Sequence, residues 1–305
     1  MRTRFNLVGY ARMNATFRFN TRLSRLSRSF ITIMEPLDMK GEAFSFEAAD
    51  LIYRKQVPRL FQNVVSHWAA VSDDEKKWSN LENLLHRIGK GVVAPIECDG
   101  SYMDKSMKIL NIDMQDYLIY LIKMKNHLAN ENSASKKDNG WKMYLAQTEL
   151  SDISTVLLED ISPRPIITTT GKGSIYRVNL WLGYNTTSPC HHDPFQNILC
   201  QVFGKKHVIL FAPNQSEYLY PAYGTLQRNT SLVEIRNPDR SLHPLFDKVT
   251  GFSCTLEEGD AVFIPKVCST IYTNIFFIKI NFFPVHFITN IMHFCMKGLV
   301  ALLLD

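Results

Sequence analysis

The six cysteines of this chain form no CxxC pair and no closely spaced framework. That absence argues against a zinc ribbon and against a small secreted fold held by disulfides. Cys98, Cys190, Cys200, Cys254, Cys268 and Cys295 read instead as reduced thiols of an intracellular protein, nuclear or cytoplasmic. The sequons at Asn185 and Asn229 then carry no weight, because glycosylation requires a secretory route. The sequence also lacks a clean run of the ~20 apolar residues that a membrane span needs. Its most apolar segment, between Lys279 and Lys297, is interrupted by Pro284, His286, Asn290 and His293. Acidic residues are missing before Glu35, whereas Arg2, Arg4, Arg12, Arg18, Arg22, Arg25 and Arg28 all lie there. These arginines account for more than the whole net charge of +5. The rest of the chain is close to neutral, and no basic groove for nucleic acid is expected.

What is present suffices for a folded body. The chain has 305 residues, 46% hydrophobic and 21% charged, enough for one large domain or two small ones. Residues 1–43 read as an Arg-rich extension that is disordered or targeting. The composition of 1–34 matches a mitochondrial transit peptide. An unstructured extension, or a true start at Met34 or Met39, fits as well.

From residue 44 to about 172 the periodicity is helical. Phe44–Arg54 and Leu60–Ala70 carry apolar residues at helical spacing. Ser79-Asn80-Leu81-Glu82 has the form of a capping box, with Gly89 placed as the C-terminal cap. Met114, Tyr117, Leu118, Leu121 and Ile122 mark one face of a helix over Asp113–His127. Ala129–Gly140 is polar and reads as a surface loop. After about residue 173 the period becomes two. Ser174–Tyr184 alternates, Gly204-Lys205-Lys206 reads as one hairpin turn, and Glu257-Glu258-Gly259-Asp260 reads as another. Short strands with tight turns predict a sandwich, barrel or jelly roll.

Chemistry concentrates in Ser188-Pro189-Cys190-His191-His192-Asp193-Pro194. Residues two apart on an extended segment share a face, so His191 and Asp193 can converge on one ion. Two imidazoles and one carboxylate with open positions is the arrangement of non-haem Fe(II) oxygenases. His-x-Asp alone is a weak signal. His192, between the two, should point away and pack.

The longer run SPCHHDPFQNILCQVFGKKHVILFAP (188–213) resembles the Jumonji-C family, in its small hydroxylase-type members. Tyr144-Leu145-Ala146-Gln147, Tyr218-Leu219-Tyr220-Pro221, Asn229-Thr230-Ser231, Asn237-Pro238-Asp239 and the stretch Leu256–Pro265 extend the match over roughly residues 45–266. The resemblance implies a mainly β protein with helices (α+β), a single domain over residues 44–266: an N-terminal helical region to about 172, then a double-stranded β-helix core, the cupin jelly roll, from about 173. It implies His191 and Asp193 as Fe(II) ligands. Lys206 would pair with the far carboxylate of the cosubstrate 2-oxoglutarate, and Tyr144, Ser188 and Asn197 would hydrogen-bond it. Lys205 reads as an exposed turn lysine. The implied reaction couples oxidation of 2-oxoglutarate to succinate by O2 with hydroxylation of a protein or peptide side chain such as Arg or Lys. Attack on an N-methyl group would give demethylation. A tRNA-modifying hydroxylase is an alternative, and homodimers are common in the family.

The resemblance breaks after Lys266. The family's third ligand, a histidine, falls five residues after Pro of Phe263-Ile264-Pro265, and here that residue is Thr270. Two protein ligands predict weak iron binding, little turnover, and the alternative of a catalytically impaired binding module. Residues 267–305 form an atypical apolar tail and the C-terminal strands are expected to be incomplete. The tail admits three readings: non-native coding joined after Lys266, a membrane anchor, or a divergent strand pair with His286 or His293 as substitute ligand.

Overall fold

Both turns expected to reverse the chain in its second half instead let it run straight on. The computed structural model describes residues 31–34, 36–38, 57–98, 107–130, 142–162, 175–224, 227–266 and 268–284. The helix expected over Phe44–Arg54, residues 131–140 of the polar loop, and His286 and His293 lie outside them. The described strands are β1 (Ile31–Ile33), β2 (Pro36–Asp38), β3 (Arg59–Gln62), β4 (Val93–Cys98), β5 (Lys108–Asp113), β6 (Met143–Glu149), β7 (Ile175–Tyr184), β8 (Thr187–His192), β9 (Asn197–Phe211), β10 (Gly251–Leu256), β11 (Ala261–Ile264) and β12 (Ser269–Pro284). They form one mostly antiparallel sheet in the order β2-β3-β11-β9-β12-β7-β6-β4-β5, with β10 also on β9, β1 on β10, and β8 on β12. This is the expected jelly-roll class.

β9 continues through Gly204-Lys205-Lys206, pairing with β12 on both sides of Gly204. Gly204 has φ 75° and pairs with Phe277 between two register shifts, one with its extra residue on β12 opposite Lys205 and one with its extra residue on β9 at Val202. Bulges rather than a turn form here, because an extra residue can be taken up by one strand without reversing it. Nor do β10 and β11 pair with each other. Both lie antiparallel along β9, at 206–210 and 197–200 respectively. The chain between them is an excursion closed on Asp260, which accepts the amides of Glu257 and Asn63, each at 3.0 Å.

The tail forms β12, which corrects the expectation of incomplete C-terminal strands. β12 has β9 along one side and β8 followed by β7 along the other. Its Ile/Phe/Thr-rich sequence is what a strand paired on both sides requires. Among the described residues no helix is long and apolar enough to cross a membrane.

The front half is less helical than its periodicity suggests. β1 and β2 fall inside the expected disordered extension, and Met34 is buried with its amide on the Ser253 carbonyl at 2.8 Å. Leu60–Ala70 is β3 and a turn, with only α1 (Ala69–Ser72) helical. Its apolar residues are there because Leu60 and Phe61 serve opposite faces of a strand and fill two different cores. α2 (Leu81–Ile88) is capped by Asn80, whose side chain accepts the Asn83 amide at 3.2 Å, one residue on from the expected Ser79. Gly89 follows α2 with φ 82°. α3 (Met114–Asn130) agrees with its apolar stripe, burying Met114, Tyr117, Leu118 and Leu121. Two one-turn helices, α4 (Leu150–Ile153) and α5 (Leu157–Asp160), complete this layer.

Tyr117 stitches α3 to the sheet. Its hydroxyl donates to the Leu182 carbonyl at 2.7 Å and accepts the Leu145 amide at 3.2 Å. That bond holds β6 and β7, the strands carrying the upper wall of the site described next.

Candidate active site

One cavity of ≈ 630 Å³ opens beside β8, and Tyr144, Ser188, His191 and Asp193 all line it. His192 does not line it, and burial holds its imidazole pKa below the ordinary value. The expectation that the middle residue of His-His-Asp turns away agrees with this.

The strand β8 owes its arrangement to a bulge. Against β12, His191 lies opposite Thr270 and Ser188 opposite Tyr272, so Pro189 and Cys190 together face the single residue Ile271. Without the extra residue, Ser188 and His191 would point to opposite faces. With it they share one, while Cys190 turns to the other side and packs with Ile209, Phe211 and Ile271. Pro189 suits the bulge because it has no N–H to leave unpaired. Its carbonyl accepts His191 Nδ1–H at 2.8 Å. That bond orients the ring and makes Nε2 the nitrogen whose lone pair a metal would use.

The other edge of β8 is braced by residues 229–231. The His192 amide donates to the Asn229 carbonyl and Asn229 Nδ2 donates to the His192 carbonyl, both at 3.0 Å. The Ser231 amide donates to the Cys190 carbonyl at 2.7 Å. The His-x-Asp segment is therefore held from both sides.

A bulge at Val202 does for β9 what the bulge at Pro189-Cys190 does for β8: the consecutive residues Ile278 and Lys279 of β12 lie opposite Phe203 and Gln201, which leaves Val202 as the extra residue. Before it, Asn197 and Leu199 face the same side as Ile264 and Val262; after it, Lys206, Val208 and Leu210 do. Leu199, Val208, Leu210, Val262 and Ile264 belong to one apolar core. Asn197 and Lys206 therefore share a face despite their odd spacing. Lys206 is 0% exposed, whereas the Lys205 side chain is 58% exposed and paired with Glu257 at 2.8 Å. The assignment of buried and exposed roles to these neighbours agrees with the sequence reading. Asn197 and Lys206 are not on the cavity wall; they are buried in the adjoining interior face.

Tyr144 stands on β6 opposite Gly183 and Glu97. Gly183 presents no side chain, and the Tyr144 ring packs on the diagonal neighbour Trp181, centroids 5.8 Å apart. Sequence reasoning missed Trp181, Glu97 and Arg236, which also line the cavity. Only their fold positions reveal them, since none sits in a motif. Burial raises the Glu97 carboxyl pKa and lowers that of the Arg236 guanidinium. Gln147 and Asn185, both on the cavity wall, have φ 54° and 47°, a left-handed conformation that is costly for glutamine and marks a constrained rim.

Residues 45–268 match the family described as Cupin-like domain, a match that ends one residue before β12 begins. The chain is 33% identical over 220 residues to JmjC domain-containing protein D of Dictyostelium discoideum, covering 68% of this chain and 47% of that protein. It is 31% identical over 210 residues to Lysine-specific demethylase 8 of Danio rerio, covering 68% and 48%. Over 77 residues it is 44% identical to the human tRNA wybutosine-synthesizing protein 5, covering 25% and 23%. The fold, the cavity and these matches place the chain among the cupin-like β-barrels. Within them it belongs to the Jumonji-C family, whose members generally depend on Fe(II) and 2-oxoglutarate. It spans about half the length of the longer relatives.

The residues present fit the cosubstrate better than the metal. A buried cation at Lys206 suits a carboxylate. Asn197 Oδ1 is buried and accepts no hydrogen bond from a described residue, a cost of about 1–3 kcal/mol that a bound donor relieves. For Fe(II), His191 and Asp193 are family-type donors, but the set is one short. Among the described residues no group of three His, Cys, Asp or Glu is disposed to hold an ion. Thr270 is 3% exposed, and its hydroxyl donates to the Cys268 carbonyl at 3.2 Å.

Proposed function

We propose that this chain is a Jumonji-C oxygenase domain directed at an arginine or lysine side chain of a protein, hydroxylating it or, at an N-methyl group, demethylating it. The observation that carries this is the common face reached by Ser188, His191, Asn197 and Lys206 through two separate bulges. Two independent corrections of strand phase that converge on one interior face are the mark of a ligand site. Fe(II) and 2-oxoglutarate would activate O2, the oxidant, whose two oxygen atoms would go to succinate (with loss of CO2) and to the substrate carbon. The chain's own part is positional. Lys206 would neutralise the distal carboxylate, and Tyr144 and Ser188 would hydrogen-bond the cosubstrate. His191, steered by Pro189, and Asp193 would supply donors. Trp181 and Ile271 present apolar surface that limits water. Glu97 offers a carboxylate whose burial cost a cationic side chain would relieve. The demethylase name of a relative agrees with a protein substrate.

Thr270 favours a second reading, a binding module that keeps the pocket without turnover. Purified protein with Fe(II), ascorbate and 2-oxoglutarate should release succinate faster when Arg- and Lys-containing peptides are added. Release stimulated by tRNA instead would replace the protein substrate with RNA. If folded protein binds 2-oxoglutarate yet yields no succinate with either, the binding-module reading takes over.

A further inference from the structure

Thr270 is not on the cavity wall; it is buried in the sheet directly opposite His191. β12 is paired on both sides at this point, so His191, Thr270 and Leu210 form one row across β8, β12 and β9. Directly opposed antiparallel residues project to the same face with Cβ atoms about 4.5–5.5 Å apart. Residue 270 is therefore the immediate neighbour of His191 on the face that also carries Lys206. The backbone at 270 cannot swing away, since its partners on both strands fix it. The side chain is short and its hydroxyl is turned to a carbonyl two residues back on its own strand.

We infer that position 270 alone sets the metal affinity of this pocket: the strand scaffold for a third donor is intact, and only the side chain is missing. Resting on the Jumonji-C reading of the pocket, this goes further in two ways. It locates the defect in one side chain rather than in the altered tail, because β12 completes the sheet. It also separates the two ligands, since Lys206 and Asn197 lie on β9 and do not depend on residue 270. The chain thus binds a dicarboxylate without needing the metal first, and a single Thr270→His exchange installs the third donor.

Mn(II), which does not turn over, is the probe for the metal, titrated by electron paramagnetic resonance of the free ion. 2-Oxoglutarate in the presence of a chelator is the probe for the anion, read by thermal shift. The unsubstituted chain should bind Mn(II) weakly and T270H at least ten- to a hundredfold more tightly, the range that even ligand-orienting partners command. T270A should match the unsubstituted chain, because the hydroxyl is not a donor. Equal Mn(II) affinity in the unsubstituted chain and T270H, with T270H folded by circular dichroism, overturns the inference. So does a marked loss in T270A, which needs no large side chain and tests the idea even if T270H misfolds. A metal requirement for the 2-oxoglutarate shift overturns the separation of the two ligands. Failure of 2-oxoglutarate to bind under any condition overturns the underlying reading of the pocket instead.

Discussion

Arg87 reaches from α2 to Asp160 at the end of α5, its NH2 group donating to Oδ1 at 2.8 Å and its NH1 group to Oδ2. Asp160 is 1% exposed and also accepts the Trp78 indole N–H at 2.9 Å. A bidentate charge pair with a third donor is a satisfied buried site, so removing one member leaves an uncompensated charge. Arg87→Met should cost about 3–5 kcal/mol. Trp78→Phe, which leaves the ion pair intact, loses the indole donor and should cost about 1–3 kcal/mol. Urea midpoints with unchanged slopes measure both.

Gly204 should tolerate no branched side chain. Gly204→Val forces a β-branched residue to φ 75° and strains β9 between the bulge at Val202 and Lys206. Relief of that strain by closing the bulge at Val202 shifts the phase of β9 and turns Lys206 out of the interior. The expected result is a stability loss of at least about 1–2 kcal/mol, together with loss of the 2-oxoglutarate thermal shift. A variant that keeps the full ligand shift would show that Gly204 does not support the bulge at Val202 that sets the phase.

Lys206→Met preserves length and replaces the buried ammonium by an apolar end. The protein should fold, and the thermal stabilisation by 2-oxoglutarate should disappear while that of Lys205→Met stays intact. If the two variants behave alike, the buried position has no special part in anion binding.

The thiols give a pH test. Cys98, Cys190, Cys200, Cys254 and Cys268 are all free and buried. Burial pushes Cys190 and Cys200 well above the usual thiol range, Cys254 to about 12, helped by Asp260, and Cys268 to about 11. The unfolded chain releases these protons first, so their contribution is intact below the ordinary thiol value of 9.0 and is lost as pH rises toward 11 and 12. The urea midpoint should therefore fall between pH 8 and pH 10, and fall less in Cys268→Ala. Iodoacetamide at pH 8 should leave all five unlabelled in native protein and label them in denaturant, as read by peptide mapping.

The sequence made the His-x-Asp turn and the β-rich second half legible because motif and alternation are local signals. It concealed the bulges. Gly204-Lys205-Lys206 has the composition of a turn, and only the partner strand β12 shows that the chain runs straight through it. Leu60–Ala70 shows apolar spacing compatible with a helix, yet Leu60 and Phe61 fill different cores on the two faces of β3. Trp181 and Glu97 were silent because pocket walls are assembled by pairing across strands distant in sequence. Counting from Pro265 singled out Thr270. That it stands beside His191 in an unbroken sheet could be learned only from the pairing of β12.

β12 also fixes when the protein can fold. Its neighbours β7, β8 and β9 all leave the ribosome before it, yet they meet each other mainly through it. Until residues 269–284 emerge, the nascent chain holds two ribbons with facing unpaired edges and a half-built pocket. Such edges invite pairing with other chains. Assembly of the site is thus postponed until β12 has emerged, and exposure of unpaired edges up to that point follows from the place of one strand.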